Sequence, residues 1–274
     1  MSYSTPTTPE VVSARRMLIQ GAANMGKTAS VYLTWPKPIH FQVYPGEKGF
    51  DTIPRGKPDI TPHLWTADPV SSLASSVVVN EVEKLTWEIL DGKRGPITTF
   101  CGDGLHKYYY YVLDMISGGQ LARGESPGEG GDVWAGPRIY DRARNHFRFC
   151  LNRIMASPVP YIVFTCWDGK EAEKPGVKGS AMFTYPDFPG KSAKEIMGEF
   201  SVTVYATLDW GNRQPGKPPK TDWQLLPEGD IRGANIKAPP EMMMHLPAHI
   251  PQSLPLLEET LEKAWTLSTT PPKT

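Results

Sequence analysis

The run Gly21-Ala22-Ala23-Asn24-Met25-Gly26-Lys27-Thr28 satisfies the pattern G-x-x-x-x-G-K-[ST] at every fixed position. Before it, Arg16–Gln20 reads as a short strand. After it, Thr28–Leu33 reads as the opening of a helix that ends by Trp35-Pro36. Strand, glycine-bearing loop and helix in that order aim free backbone N–H groups and the positive end of a helix dipole at one point. A polyphosphate suits that point. Lys27 would neutralise the β and γ phosphates, and the Thr28 hydroxyl would hold a magnesium ion. The eight residues Gly21, Ala22, Ala23, Asn24, Met25, Gly26, Lys27 and Thr28 are therefore candidate contacts for ATP with Mg2+.

Working outward, the pattern beyond the loop alternates strands and helices. Ile39–Val43 reads as a second strand running into the turn Tyr44–Gly49, and His63–Thr66 as a short third. A helix is expected from Val70 to Leu90, ended by Lys93-Arg94-Gly95-Pro96. The apolar run Ile97–Cys101 suits a buried central strand closing on Gly102-Asp103-Gly104, followed by a helix over Lys107–Ile116. Ser117–Pro137 reads as a glycine-rich loop. Arg138–Ala156 reads as an amphipathic helix with Tyr140, Ala143, Phe147, Cys150, Leu151 and Ile154 on one face. Tyr161–Cys166 is a further buried strand, and Asp168–Gly190 a long polar loop. Ser192–Gly198 is expected as a short helix, Phe200–Ala206 as a strand, Trp223–Leu226 as a final edge strand and Leu254–Leu267 as a helix.

This alternation predicts an α/β fold, a mainly parallel sheet with helices on both faces. The division expected is a tail at 1–13, a core at 14–210 and a Pro-rich C-terminal extension at 211–274 with a terminal helix. Ligands in such sheets bind at the carboxyl ends of the strands. The phosphate loop, Glu47, Asp103 and Thr165–Asp168 fall on that one rim.

Each of these has a plain reading beside a chemical one. Asp103, after a buried strand, suits a magnesium carboxylate and equally suits a helix N-cap. Glu47 suits a group that polarises the attacking water, or a surface turn. Thr165 and Asp168 end the other central strand, where a sensor of the γ-phosphate would lie; Trp167 and Cys166 are poor chemistry for that task.

Composition narrows the rest. There are 29 Lys and Arg against 29 Asp and Glu, so no global basic field favours nucleic acid. No segment reads as a signal peptide or as a bilayer-spanning run, so no membrane association and a cytoplasmic location are expected. Cys101, Cys150 and Cys166 lie far apart in apolar segments with no C-x-x-C pair. They read as buried reduced thiols holding neither metal nor disulfide. The 28 prolines crowd the last third, which therefore reads as loop-rich. Tyr108–Tyr111 cannot all face one way on a helix, so some must face a neighbour or a subunit interface.

The order of parts resembles the RecA-like P-loop ATPase superfamily, and more narrowly the phage nucleotide-binding proteins of single-strand annealing and recombination. The residues that carry the likeness are Gly21–Thr28, Pro45–Gly49, Phe100–Leu105, Tyr161–Asp168, Pro189–Lys191 and the strand at Phe200–Val204, over about residues 14 to 210. The resemblance implies an ATPase with Lys27, Glu47 and Asp103 in catalysis and Thr28 and Asp103 on magnesium. It implies that the loops Ser117–Pro137 and Asp168–Gly190 contact single-stranded DNA, and that the protein works as a homo-oligomeric ring or filament. Trp167 departs from the Gln or His that often ends the sensor strand, and Gly102 interrupts the apolar run.

The basic residues Arg138, Arg142, Arg144, Arg148 and Arg153 of one helix, with Lys170, Lys174, Lys178 and Lys191, are candidate phosphate contacts. Trp134, Trp167, Phe183, Tyr185 and Phe188 are candidate base-stacking rings. Arg213, Lys220 and Arg232 are candidates for a residue reaching a neighbouring subunit's nucleotide. Two other readings compete: a small-molecule or nucleotide kinase with a lid at Gly124–Arg144, and a module that binds nucleotide without hydrolysing it to set its assembly state.

Overall fold

The central strands are short apolar runs whose alternate side chains point to opposite faces, and both faces are covered. In this computed structural model the residues described are 13–53, 56–64, 75–126, 128, 135–172, 182–189, 192–209, 220–228 and 231–269. In chain order the elements are β1 (Arg16–Gln20), α1 (Lys27–Thr34), β2 (Ile39–Val43), β3 (Ile60–Leu64), α2 (Ser75–Leu90), β4 (Thr99–Asp103), α3 (Leu105–Ile116) and α4 (Ala135–Met155). They continue with β5 (Tyr161–Cys166), β6 (Asp168–Ala172), β7 (Met182–Pro186), α5 (Ser192–Met197), β8 (Val202–Asp209) and β9 (Lys220–Gln224). The last are β10 (Asn235–Ile236), α6 (Pro240–Met243), β11 (His249–Pro251) and α7 (Leu254–Thr269).

The main sheet runs β11-β9-β8-β1-β5-β4-β2-β3, with β10 also paired to β8. From β8 to β3 every neighbour is parallel, while β9, β10 and β11 join antiparallel. The α/β fold with a mainly parallel sheet is thus the observed one. One strand, β5, separates the strand that precedes the phosphate loop from the strand that ends in Asp103.

Strand alternation divides the core in two. Met17, Ile19, Phe41, Val163 and Val204 face one side, with Val31 of α1 and Leu254, Leu257 and Leu261 of α7. Leu18, Phe100, Ile162 and Phe164 face the other, under α2, α3, α4 and α5. At about 25 cal/mol per Å2, burying side chains of this size on both faces is the dominant favourable term for the fold. Gln42 ties α2 to β2: its Nε2 donates to Val82 O (3.0 Å) and its Oε1 accepts from Thr86 Oγ1 (2.7 Å).

Several expectations shift. The run expected at Ile97–Cys101 pairs as Thr99–Asp103, so Gly102 lies inside the strand rather than interrupting it. A methyl on Gly102 would sit 2.4 Å from the Phe164 ring, which explains a glycine in a packed parallel strand. The polar segment expected as a loop from Asp168 carries an antiparallel pair, β6 with β7, Gly169 facing Tyr185 and Glu171 facing Phe183. β6 reads Asp168-Gly169-Lys170-Glu171-Ala172, with no polar–apolar alternation, so its pairing with β7 carries no local strand signal. The strand at Trp223 is not an edge, because β11 pairs outside it. Trp65, Thr66 and 70–74, expected in a strand and a helix, lie outside the described residues.

All three cysteines are free and buried. Of the four tyrosines, Tyr108 and Tyr109 are buried and Tyr110 is exposed. Among the described residues no helix is long and apolar enough to cross a membrane.

Candidate nucleotide site

The loop between β1 and α1 folds as a closed turn. Asn24 and Gly26 take left-handed backbone angles (φ 64° and 76°), and α1 begins at Lys27. The buried Lys27 ammonium lies back over its own loop, donating to Gly21 O (2.8 Å) and Ala22 O (2.6 Å). Burial lowers its pKa from the ordinary lysine range, opposed by nearby acidic groups that include Asp103 and Glu47. A cation held over an anion nest in that way is poised to exchange carbonyl oxygens for phosphate oxygens.

Thr28 Oγ1 donates to Asp103 Oδ1 (2.9 Å), and Thr165 Oγ1 donates to the same oxygen (2.5 Å). Thr165 Oγ1 also accepts from the Gly104 N–H (3.1 Å), which locks the ends of β4 and β5 together. The other carboxylate oxygen, Asp103 Oδ2, is buried and has no hydrogen-bond partner. Burial raises the Asp103 pKa, opposed by the two threonine bonds. An unpartnered buried carboxylate oxygen is costly and wants a cation.

Space for one exists. Gly49 closes this corner, and a methyl there would lie 2.5 Å from Thr28 Oγ1 and 2.8 Å from Asp103 Oδ2. Only glycine leaves that volume open. The donor set, a hydroxyl and a hard carboxylate oxygen, is the chemistry magnesium prefers, so the residues fit that ion.

Glu47 sits across the same cavity of about 370 Å3, which Lys27, Thr28, Gly49, Asp103 and Trp167 also line. Its carboxylate is buried, and Glu47 Oε1 lies 3.4 Å from His106 Nε2. Burial, with Asp103 nearby, pushes the Glu47 pKa up to about 7. The Glu47 side chain rests against Gly104, where a methyl would come within 2.0 Å of its Cγ.

His106, the second residue of α3, carries no signal in the sequence analysis. Its Nδ1 accepts from the Trp167 backbone N–H (3.3 Å), so the proton of the neutral ring sits on Nε2, facing Glu47. Burial, then Lys107 and Lys27, lowers its pKa to about 3, so the ring is neutral at pH 7. The imidazole stacks on Trp167 at 5.1 Å, and Lys107 Nζ lies 4.5 Å from the same indole.

The candidate site residues thus converge: the phosphate loop, Asp103, Thr165, Glu47 and Trp167 line one cavity. Asp168 does not join them, because its Oδ2 accepts from Tyr205 OH (2.8 Å) on β8.

The residues named for DNA contact have largely intramolecular partners. Arg144 pairs with Asp141 (2.7 Å) and Glu195 (3.2 Å), Arg148 pairs with Glu199 (2.6 Å), and Arg153 lies 4.0 Å over the Trp87 ring. Lys170 Nζ donates to Thr184 Oγ1 (2.7 Å). Phe188 is buried against Tyr109 and Phe147. Tyr185 lies under Lys194, and Phe183 under Arg232. Trp134, Lys174, Lys178, Lys191 and Arg213 lie outside the described residues, as does the side chain of Lys220.

No curated protein matches the chain. Residues 13–222 match a family model described as an AAA domain, which covers more than half of the chain and agrees with a phosphate loop at the carboxyl edge of a mostly parallel sheet. The chain therefore belongs to the AAA-domain family and has a nucleotide-binding core of the P-loop NTPase type.

Proposed function

We propose that the chain hydrolyses ATP at this cavity. The observation that carries the reading is Asp103: one oxygen held by Thr28 and Thr165, the other buried without a partner beside the gap that Gly49 leaves. Lys27 and the loop N–H groups bind the β and γ phosphates. Thr28 Oγ1 and Asp103 Oδ2 would hold magnesium, which neutralises phosphate charge when bound. Glu47 orients a water and takes its proton as the water oxygen bonds to the γ-phosphorus and the bond to the ADP oxygen breaks. A carboxyl pushed up to about 7 is matched to that proton transfer near neutral pH. His106 positions it, with the tautomer set by the Trp167 backbone.

Single-stranded DNA, in recombination, annealing or replication, is the partner class we carry forward, together with homo-oligomeric action. The support is the resemblance noted in the sequence and the β6–β7 hairpin, which leaves the site directly after Trp167. Arg144, Arg148 and Arg153 are poor candidates for that contact, since each already has a partner. The neutral net charge leaves the contact to a local surface.

The test is steady-state ATP turnover titrated with single- and double-stranded DNA, with Lys27→Ala as control. Turnover abolished by Lys27→Ala and raised by single-stranded DNA supports the full reading. Turnover without any DNA binding removes the DNA part alone. ATP binding without turnover favours a nucleotide-gated assembly module, and phosphate transfer to a nucleoside or metabolite favours a kinase.

A further inference from the structure

On the far side of α3 from the nucleotide cavity, three ligand types meet. Glu83 of α2 faces His146 and Cys150 of α4, whose i, i+4 spacing puts both on one helix face. His146 Nε2 lies 2.8 Å and Cys150 Sγ 3.3 Å from Glu83 Oε1, and the sulfur and the imidazole nitrogen are 3.9 Å apart. Tyr108 OH donates to the same Glu83 Oε1 at 2.7 Å. We propose that Glu83, His146 and Cys150 form a binding site for a zinc-class divalent cation, bridging α2 and α4.

Three donors crowd one carboxylate oxygen, which offers about two lone-pair sites. A cation placed among the three groups relieves that crowding. Tetrahedral zinc with ordinary bond lengths needs its ligand atoms about 3.3–3.6 Å apart. The observed separations bracket that range, so side-chain shifts of about 0.5 Å suffice. One thiolate, one imidazole and one carboxylate select zinc over magnesium or calcium, which prefer all-oxygen shells. A cavity of about 10 Å3 borders the cluster on the side of Glu83, Tyr108 and Cys150, and His146 is not in its lining.

The elements are held in place independently of any ion. The Gln42–Thr86 hydrogen bond sets α2 on β2, and Phe147 packs on Tyr108 and Tyr109 between the two ligand positions of α4. Tyr108 would act behind the metal by orienting Glu83, the usual task of an outer-shell donor. Cys150 is buried, while His146 is about one-third exposed, so the site has an opening for the ion. The expectation of a metal-free Cys150 rested on the lack of a C-x-x-C pair; here the partners come from a histidine one turn away and a second helix.

The experiment is a cobalt titration of the untagged full-length protein, read by the near-ultraviolet thiolate-to-cobalt absorption. That band reports cysteine ligation and is silent to an ion at Thr28 and Asp103. The expected result is saturation at about one equivalent per chain, displacement by zinc, no band in Cys150→Ala and a cobalt affinity about 100-fold or more weaker in His146→Ala. Absence of the band in the wild-type protein overturns the proposal, as does a band that persists in Cys150→Ala. If Cys150→Ala does not fold, His146→Ala decides: an unchanged titration overturns the site.

Discussion

The two ends of β1 present opposite solutions to the same problem. At the amino end a cavity of about 680 Å3 opens beside Arg15, Arg16 and Glu258. Arg16 there is fully engaged, donating to the carbonyls of Arg15, Met155, Ser157 and Pro160 at 2.9–3.0 Å. Among the described residues of that lining, the one buried side-chain polar atom without a partner is the neutral Ser157 hydroxyl. At the carboxyl end the cavity is about half as large, yet Asp103 Oδ2 is buried without a hydrogen-bond partner, and the buried Glu47 Oε1 and His106 Nε2, 3.4 Å apart, face only each other. Native proteins pair nearly all buried polar atoms, so a cluster of ionisable exceptions marks chemistry. Cavity size by itself does not.

The contrast is broken most directly at Glu47. Glu47→Gln keeps the shape of the site and removes the base; kcat for ATP falls about 10²–10⁴-fold, while nucleotide affinity, measured with a fluorescent analogue, changes little. Equal losses in binding and turnover would make Glu47 a structural turn residue. Gly49→Ala places a methyl between Thr28 Oγ1 and Asp103 Oδ2. It lowers turnover about 10²-fold, and its magnesium titration shifts to higher concentration while circular dichroism stays native.

The pH profile sharpens the same point. Because the base must be ionised, kcat/KM falls about tenfold per unit below the Glu47 pKa of about 7 and levels off above it. A flat profile between pH 5 and 7 would remove Glu47 as the base.

Linkage gives the sign for stability. The folded chain holds the Glu47 proton more tightly than the ordinary value of 4.5, so its stability contribution is full below about 4.5 and is lost as pH rises through about 7. Glu47→Gln lacks that loss. Urea unfolding finds it more stable than wild type by ~2 kcal/mol at pH 8 and not at pH 4.

At the amino end the reverse holds. Arg16→Ala leaves carbonyls without their donor and lowers stability by about 1–3 kcal/mol, with kcat unchanged. A fall in turnover there would blur the distinction between the two ends.

How much of this was legible beforehand follows the range of each interaction. The phosphate loop is local: its function depends on backbone turns and a helix start within eight consecutive residues, so pattern and structure coincide. Asp103 and Thr165 could be placed on one rim because buried strands in a parallel sheet all end there, and Glu47, a carboxylate following a strand, lines the same cavity. His106 was missed because its partner, the Trp167 backbone, is 61 residues away. Trp167 looked like a poor sensor in the chain; in space its backbone and ring hold His106. Helical spacing gives α4 a basic face but not what covers it. Glu195 and Glu199 take up Arg144 and Arg148.

By itself, then, the sequence determined the nucleotide loop, the alternating α/β order and the strand-end carboxylates, since these rest on contacts between near neighbours or on a rule common to all parallel sheets. Only the tertiary structure decided which oxygen of Asp103 stands unpaired, that a histidine faces Glu47, and that Glu83 meets His146 and Cys150. Those facts are distances between side chains far apart in the chain, and they exist only once the sheet and its two helical layers have packed.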